Sequence, residues 1–371
     1  SSPDSSPSAG TACAAAAERK LKRQCVSSQA RGLQPAGLFH SMPLQHYIRL
    51  LPHVGPQREK ALRDEGCACW SDVLNAPRPL AGLDRPAWDE VRAAAEQSLR
   101  ALQADDVPFF AAKIPPLEQW RLLAQWFGRA SFFDIETSGL EAGSLVTLVC
   151  CFHGGRPLRF LANENLDDFL DLLDEVKLLV SFNGASFDVP RVLDRFHIPE
   201  LPCAHVDLRW LCHRAGWKGG LKKIERELGL RRPADLEGLG GAEAVWLWQA
   251  WSEKGDERAR RTLERYCSAD TVMLKLLAAK LCATQGVAVE EPDELGLWRL
   301  VHEALPDLGR PAGLSGCPVA LDPPLQKPPP GPVVSADLFS ISEMVGATAG
   351  LSRAEKQARL RERWRQHRGG L

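Results

Sequence analysis

The sequence predicts an α/β fold preceded by a small helical unit, and three observations carry that prediction. Between residues 109 and 284 the hydrophobic period switches repeatedly between strand-like alternation and helical spacing, as it does in α/β domains. Ahead of that stretch, residues 44–105 show helical pattern broken by a tight turn. The 371 residues, 44% hydrophobic and 25% charged, suffice for one sizeable core with appendages.

Residues 1–40 are rich in Ser, Ala and Gln, carry a basic cluster at Arg19, Lys20, Lys22 and Arg23, and show no period. They read as a disordered segment. The helical unit at 44–105 centres on Leu51-Pro52-His53-Val54-Gly55-Pro56. Helical sequence over 58–65 follows, then Gly66 as a stop and a second helix from Trp70. In the domain at 109–284, apolar runs at 131–135, 144–153 and 157–161 read as three strands, with Gly154-Gly155 as a hairpin signal. Helical spacing over 166–176, a strand-like run at 177–182, a helix over 184–196 and a brief strand at 205–208 come next. Three helices follow over 221–228, 242–251 and 256–282. The remainder, 285–371, holds a helix over 294–305 and a Pro-rich linker in which Pro328-Pro329-Pro330 continues neither helix nor central strand. It ends in a basic helix at 352–368, with seven Lys or Arg against two Glu.

Composition narrows the function classes only a little. A net charge of -1 supplies no global attraction for nucleic acid, so any such contact must come from local basic stretches. The 11 cysteines form no CxxC pair or regular framework, which predicts reduced thiols and a cytoplasmic setting. No run of 18 apolar residues appears, so no membrane partner is expected, and the first residues lack a secretory pattern.

The chemistry is carried by acids. In Phe132-Phe133-Asp134-Ile135-Glu136-Thr137, two carboxylates stand two apart in a strand-like run, so both point to one face of a sheet. Two such carboxylates repel unless a cation lies between them, and hard ions such as Mg2+ or Mn2+ prefer oxygen ligands. A strand end with solvated acids is the plainer alternative. The second motif, Asn183-Gly184-Ala185-Ser186-Phe187-Asp188, places an acid in the first turns of a helix, where the helix dipole alone would also favour it. In the third, Tyr266-Cys267-Ser268-Ala269-Asp270, Tyr266 and Asp270 share one helical face four residues apart.

The ordered set is more specific than its parts: DxE on a strand, NxxxFD about fifty residues later, YxxxD about eighty after that. It resembles the DEDDy branch of 3′-to-5′ exonucleases, the family of polymerase proofreading domains. The phrases at 133–140 and 179–190, with Gly219-Gly220-Leu221-Lys222-Lys223-Ile224-Glu225, look closer still to the YprB-like ribonuclease H-like proteins of bacteria. The resemblance covers about residues 130–280. It implies a ribonuclease H-like fold, a mixed five-stranded sheet flanked by helices. It also implies Asp134, Glu136, Asp188 and Asp270 as ligands of two Mg2+ or Mn2+ ions, with Tyr266 positioning the attacking water. The implied mechanism is two-metal hydrolysis, one ion generating hydroxide and the other stabilising the leaving oxygen. No histidine lies between His213 and His302, which disfavours the sister branch with histidine in place of the tyrosine.

Further residues carry two readings each. Asp207 either supports the metal site from behind or caps the helix that starts beside it. The basic run from Arg209 to Arg232, including Lys222 and Lys223, suits a phosphate backbone or is a solvated helix face. Asn183 is a nucleic-acid contact candidate and a plausible turn residue. The turn at Gly55 resembles a helix-hairpin-helix, which grips nucleic-acid backbone. With His53 in the first glycine position, it either binds DNA or is a degenerate packing module. Cys203, His205, Cys212 and His213 match no common zinc spacing, and Trp246, Trp248 and Trp251 are expected in the core.

The functional expectation is a metal-dependent nuclease acting on DNA or RNA, a 3′-to-5′ exonuclease on single strands or 3′ ends. Structure-selective endonuclease action and a non-catalytic nucleic-acid-binding scaffold are the alternatives. The sequence assigns no oligomeric state.

Overall fold

The computed structural model describes residues 44–314 apart from 140 and 142. The segment 1–40, most of the Pro-rich linker and the basic helix expected at 352–368 lie outside the described residues.

The first part is helical. Two 3-10 turns, Leu44–His46 and Ile48–Leu50, precede α1 (Pro56–Asp64), α2 (Trp70–Asn75) and α3 (Arg85–Gln103). Proline opens α1 behind Gly55, and Asp84 caps α3 by accepting from the Ala87 N–H at 3.0 Å. Gly66, at φ 94°, ends the first helix as its stop signal requires. Two short helices absent from the sequence reading follow, α4 (Val107–Lys113) and α5 (Trp120–Trp126). Pro108, Pro115 and Pro116 break this stretch into pieces too short to show a period.

The sheet comprises β1 (Ser131–Thr137), β2 (Val146–His153), β3 (Arg156–Leu161), β4 (Leu178–Ser181) and β5 (Ala204–Asp207), in the order β3-β2-β1-β4-β5. β1 to β3 form an antiparallel meander, whereas β4 and β5 run parallel to β1, so the sheet is mixed. The crossovers are α6 (Phe169–Glu175) and α7 (Asp188–Phe196); α8 (Leu208–Arg214), α9 (Leu221–Glu227), α10 (Gly241–Lys254), α11 (Glu257–Thr284) and α12 (Glu294–Ala304) complete the described chain. Among the described residues no helix is long and apolar enough to cross a membrane.

Alternation along β1 sorts the core. Phe133 and Ile135 join Phe169, Val192 and Phe196 on the α6 and α7 face. Phe132 joins a cluster running from the helical unit (Ile48, Trp70, Trp88) through Phe110 of α4 to Val272 and Leu276 of α11. Asp134 and Glu136 share the parity of Phe132 and therefore face α11. The helical unit thus packs on the same sheet face that carries the two acids.

One element starts later than its sequence pattern. Helical spacing begins at Gly184, yet α7 begins at Asp188, because Asn183 adopts φ 66° and the backbone N–H groups of Asn183 and Ala185 donate to Asp207 instead of entering a helix.

Candidate active site

β1 supplies the first two acids. β4 pairs with β1 only at Ser131 and Phe132 and ends at Ser181, so the edge of β1 beside Asp134 and Glu136 is open. Into that opening reaches the second motif. The Ile135 N–H, between the two acids, donates to Asp188 Oδ1 at 3.3 Å. Opposite, α11 brings Cys267, whose Sγ lies 3.5 Å from the Asp134 carbonyl and 3.7 Å from its Oδ2. One potential ligand atom from each of Asp134, Glu136 and Cys267 lies within 4.8 Å of the others.

The turn that delivers Asp188 is built tightly. Asp207 Oδ1 accepts from the N–H groups of Asn183 (2.7 Å) and Arg209 (3.0 Å), and Oδ2 accepts from that of Ala185 (3.1 Å). Asp207 therefore caps α8 and also holds the turn ahead of Asp188. The Asn183 side chain is engaged from within, its Oδ1 accepting from Arg209. Gly184 has no alternative residue there, since a Cβ would sit 2.0 Å from Ser181 Oγ and 2.7 Å from Ser181 Cβ.

The third motif lies inside α11, where Tyr266 and Asp270 are both buried one turn apart. Lys222, from the first turn of α9, donates to the Tyr266 hydroxyl oxygen, with its ammonium 4.4 Å from the ring centre. Arg232 donates through Nη2 to Asp270 Oδ1 at 2.5 Å and to Glu225 Oε1 at 2.6 Å, and through Nε to Glu225 Oε2 at 2.8 Å.

Burial makes this cluster costly in charge. Desolvation, then repulsion from Asp270 and Asp188, holds the Asp134 carboxyl well above the usual range. Glu136 is raised by burial and Asp270 in the same sense, against a lowering pull from Lys222. Burial and the neighbouring Asp207 push Asp188 up to about 7. The Tyr266 phenol is raised by burial and by Asp270, so it stays protonated. The Cys267 thiol is likewise raised by burial and stays a thiol.

Other predicted residues lie apart from the cluster. Lys223 is exposed and faces Glu227 at 3.8 Å. Gly55 caps α1 in extended backbone, and His53 takes the left-handed φ of 61° that glycine favours in a hairpin, its ring bound to Glu90 at 2.7 Å. Among the described residues Cys203, His205, Cys212 and His213 do not gather as a metal-ligating group. Trp246, Trp248 and Trp251 pack against the core, Trp248 and Trp251 edge to face at 5.2 Å. Sequence reasoning missed Cys267, Glu225 and Arg232. Cys267 had a signal, adjacency to Tyr266 on the same helix, whereas the Glu225–Arg232 pair had none.

Residues 131–282 match a family model described as RNase_H superfamily, a span from β1 to the end of α11 that contains every acid of the cluster. This segment has the ribonuclease H-like fold. The chain is also similar to a solved structure, the family B DNA polymerase from the hyperthermophilic archaeon Pyrobaculum calidifontis. There the TM-score is 0.34 and the identity 19%, over 42% of this chain and 24% of that one, so the chain spans about a quarter of the polymerase. No curated protein matches the sequence.

Proposed function

We propose that this protein is a metal-dependent nuclease that hydrolyses phosphodiester bonds of DNA or RNA, acting as a 3′-to-5′ exonuclease on single strands or 3′ ends. The observation that carries the reading is the set of acids that three separate elements bring to one buried place: Asp134 and Glu136 of β1, which gather with Cys267; Asp188, hydrogen-bonded to the peptide between them; and Asp270 of α11, whose charge raises both β1 acids.

The donor set fits hard divalent ions. Its anionic atoms are carboxylate oxygens, while the nearby sulfur of Cys267 is held as a neutral thiol by burial, so Mg2+ or Mn2+ suits it better than a thiophilic ion. Asp134, Glu136, Asp188 and Asp270 would hold two such ions, and bound there the ions supply a hydroxide nucleophile and stabilise the leaving oxygen. Asp188 and Asp270 each accept a hydrogen bond from the protein, from Ile135 and from Arg232. Tyr266, protonated and accepting from Lys222, has its own O–H left to donate to the attacking water and orient it. Lys222 places a positive charge beside Glu136 and Tyr266 where a phosphate would arrive. Lys223, Asn183 and the Gly55 hairpin are the proposed backbone contacts farther out.

The test is a 5′-labelled single strand incubated with the full chain in Mn2+ or Mg2+. A ladder of shortening products is expected, abolished by EDTA and by Asp134→Ala. Discrete internal cuts would indicate an endonuclease. No cleavage of DNA or RNA in either metal would leave a binding scaffold.

A further inference from the structure

The loop after α9 aims a cation at the acid cluster from behind. α9 ends at Glu227, Gly229 turns the chain at φ 70°, and the Leu230 N–H closes back onto the Glu225 carbonyl at 2.9 Å. Arg232 then doubles back along the helix, and both oxygens of Glu225 grip its guanidinium, at 2.8 and 2.6 Å. The same Nη2 that meets Glu225 reaches Asp270 at 2.5 Å. All three side chains are buried, with 7% of Arg232, 4% of Glu225 and 6% of Asp270 exposed.

A bidentate clamp of this kind fixes the guanidinium on its own account. Arg232 therefore does not need Asp270 to be placed, whereas Asp270, facing Asp134 and Glu136, needs a positive partner to remain buried beside them. A cation tethered by the chain lowers the cost of gathering these carboxylates before any metal arrives. The same charge, a few ångströms away, then opposes the entry of a divalent ion.

On the reading that Asp270 is a metal ligand, we infer that Arg232, clamped by Glu225, is a resident counter-ion that keeps the acidic cluster folded without metal and lowers the affinity of the site for the divalent ion. Arg232 is a positioning and charge-balancing residue here. It touches Glu225 and Asp270.

The experiment titrates Mn2+ into the full chain by calorimetry and follows thermal melting in EDTA and in Mn2+, for wild type, Arg232→Met and Arg232→Lys. In Arg232→Met the dissociation constant for Mn2+ falls about tenfold or more, because a repelling charge is gone. Melting in EDTA drops, and the rise brought by Mn2+ is larger than in wild type. In Arg232→Lys, which keeps the charge but loses the two-pronged clamp, Mn2+ affinity stays within about threefold of wild type. Equal or weaker Mn2+ binding by a folded Arg232→Met overturns the inference. Should Arg232→Met fail to fold in EDTA, Arg232→Lys decides alone, a change of about tenfold or more counting against the counter-ion role. Wild type that binds no Mn2+ would sink the metal reading and this inference with it. Wild type that binds, beside an Arg232→Met that binds no tighter, sinks the inference only.

Discussion

Removing the Asp207 carboxylate should unfasten the turn that carries Asp188, and the cost follows from its three bonds. Oδ1 accepts from the Asn183 and Arg209 N–H groups and Oδ2 from that of Ala185. In Asp207→Ala one buried and two part-buried donors lose their acceptors, at about 1–3 kcal/mol each, so the loss is about 3 kcal/mol or more. Asp207→Asn can keep its oxygen at the Oδ1 position and retain two bonds, turning an NH2 toward Ala185. Its loss is about 1–2 kcal/mol, offset in part because the repulsion that raises Asp188 is removed. With a urea slope of about 3 kcal/mol/M, the unfolding midpoint falls by about 1 M in the alanine variant and by about 0.3–0.7 M in the asparagine variant. Nuclease turnover falls in the same order, since displacing Asp188 by about 1 Å can cost about a hundredfold. Equal destabilisation of the two variants, or a change below about 0.5 kcal/mol in Asp207→Ala, would refute the assignment of the carboxylate to the turn.

Three further outcomes follow from the same structure. Gly184→Ala drives a Cβ to 2.7 Å from Ser181 Cβ, which belongs to a strand and has nowhere to go, so stability drops by about 1–3 kcal/mol; a double-mutant cycle with Ser181→Gly shows favourable coupling, and additivity would contradict the clash. Asp105, which burial alone would raise, is pulled down to about 2 by hydrogen bonds from Arg129, Lys177 and Trp126. Because its folded value lies below the ordinary 3.8, its stabilisation is full above about pH 4 and is lost as pH falls toward 2. Melting curves across that window flatten in Asp105→Asn, and an unchanged acid limb would discount the cluster. Lys222→Met, which strips the partner of Tyr266, lowers kcat with little change in KM, whereas Lys223→Met raises KM and reduces the salt slope of single-strand binding by about 0.7. Indistinguishable kinetic profiles of the two lysine variants would undo that division.

The parts of the molecule legible in the sequence are those governed by a short period. Spacing by two put Asp134 and Glu136 on one sheet face, and spacing by four put Tyr266 and Asp270 on one helix face; both hold in the structure. Direction of charge was not legible. Eight basic residues between Arg209 and Arg232 read as one surface, yet Arg209 turns inward to Asn183 and Arg232 to Asp270, while Arg214 is exposed but paired with Glu118. A count of lysines and arginines records charge but not where a side chain points. The Glu225–Arg232 clamp crosses a turn made at Gly229, so no periodicity marks it. The late start of α7 depends on Asp207, a strand away in space and about twenty residues away in sequence, which captures backbone donors a helix would otherwise use.

The measurement closest to the central claim is anomalous scattering from crystals of the full chain grown or soaked in Mn2+. Manganese peaks are expected in contact with carboxylate oxygens of Asp134 and Glu136, shared with Asp188 and Asp270, and their loss in Asp134→Ala. Crystals that diffract well in Mn2+ yet show no peak at these four acids, or show manganese only elsewhere, would contradict it.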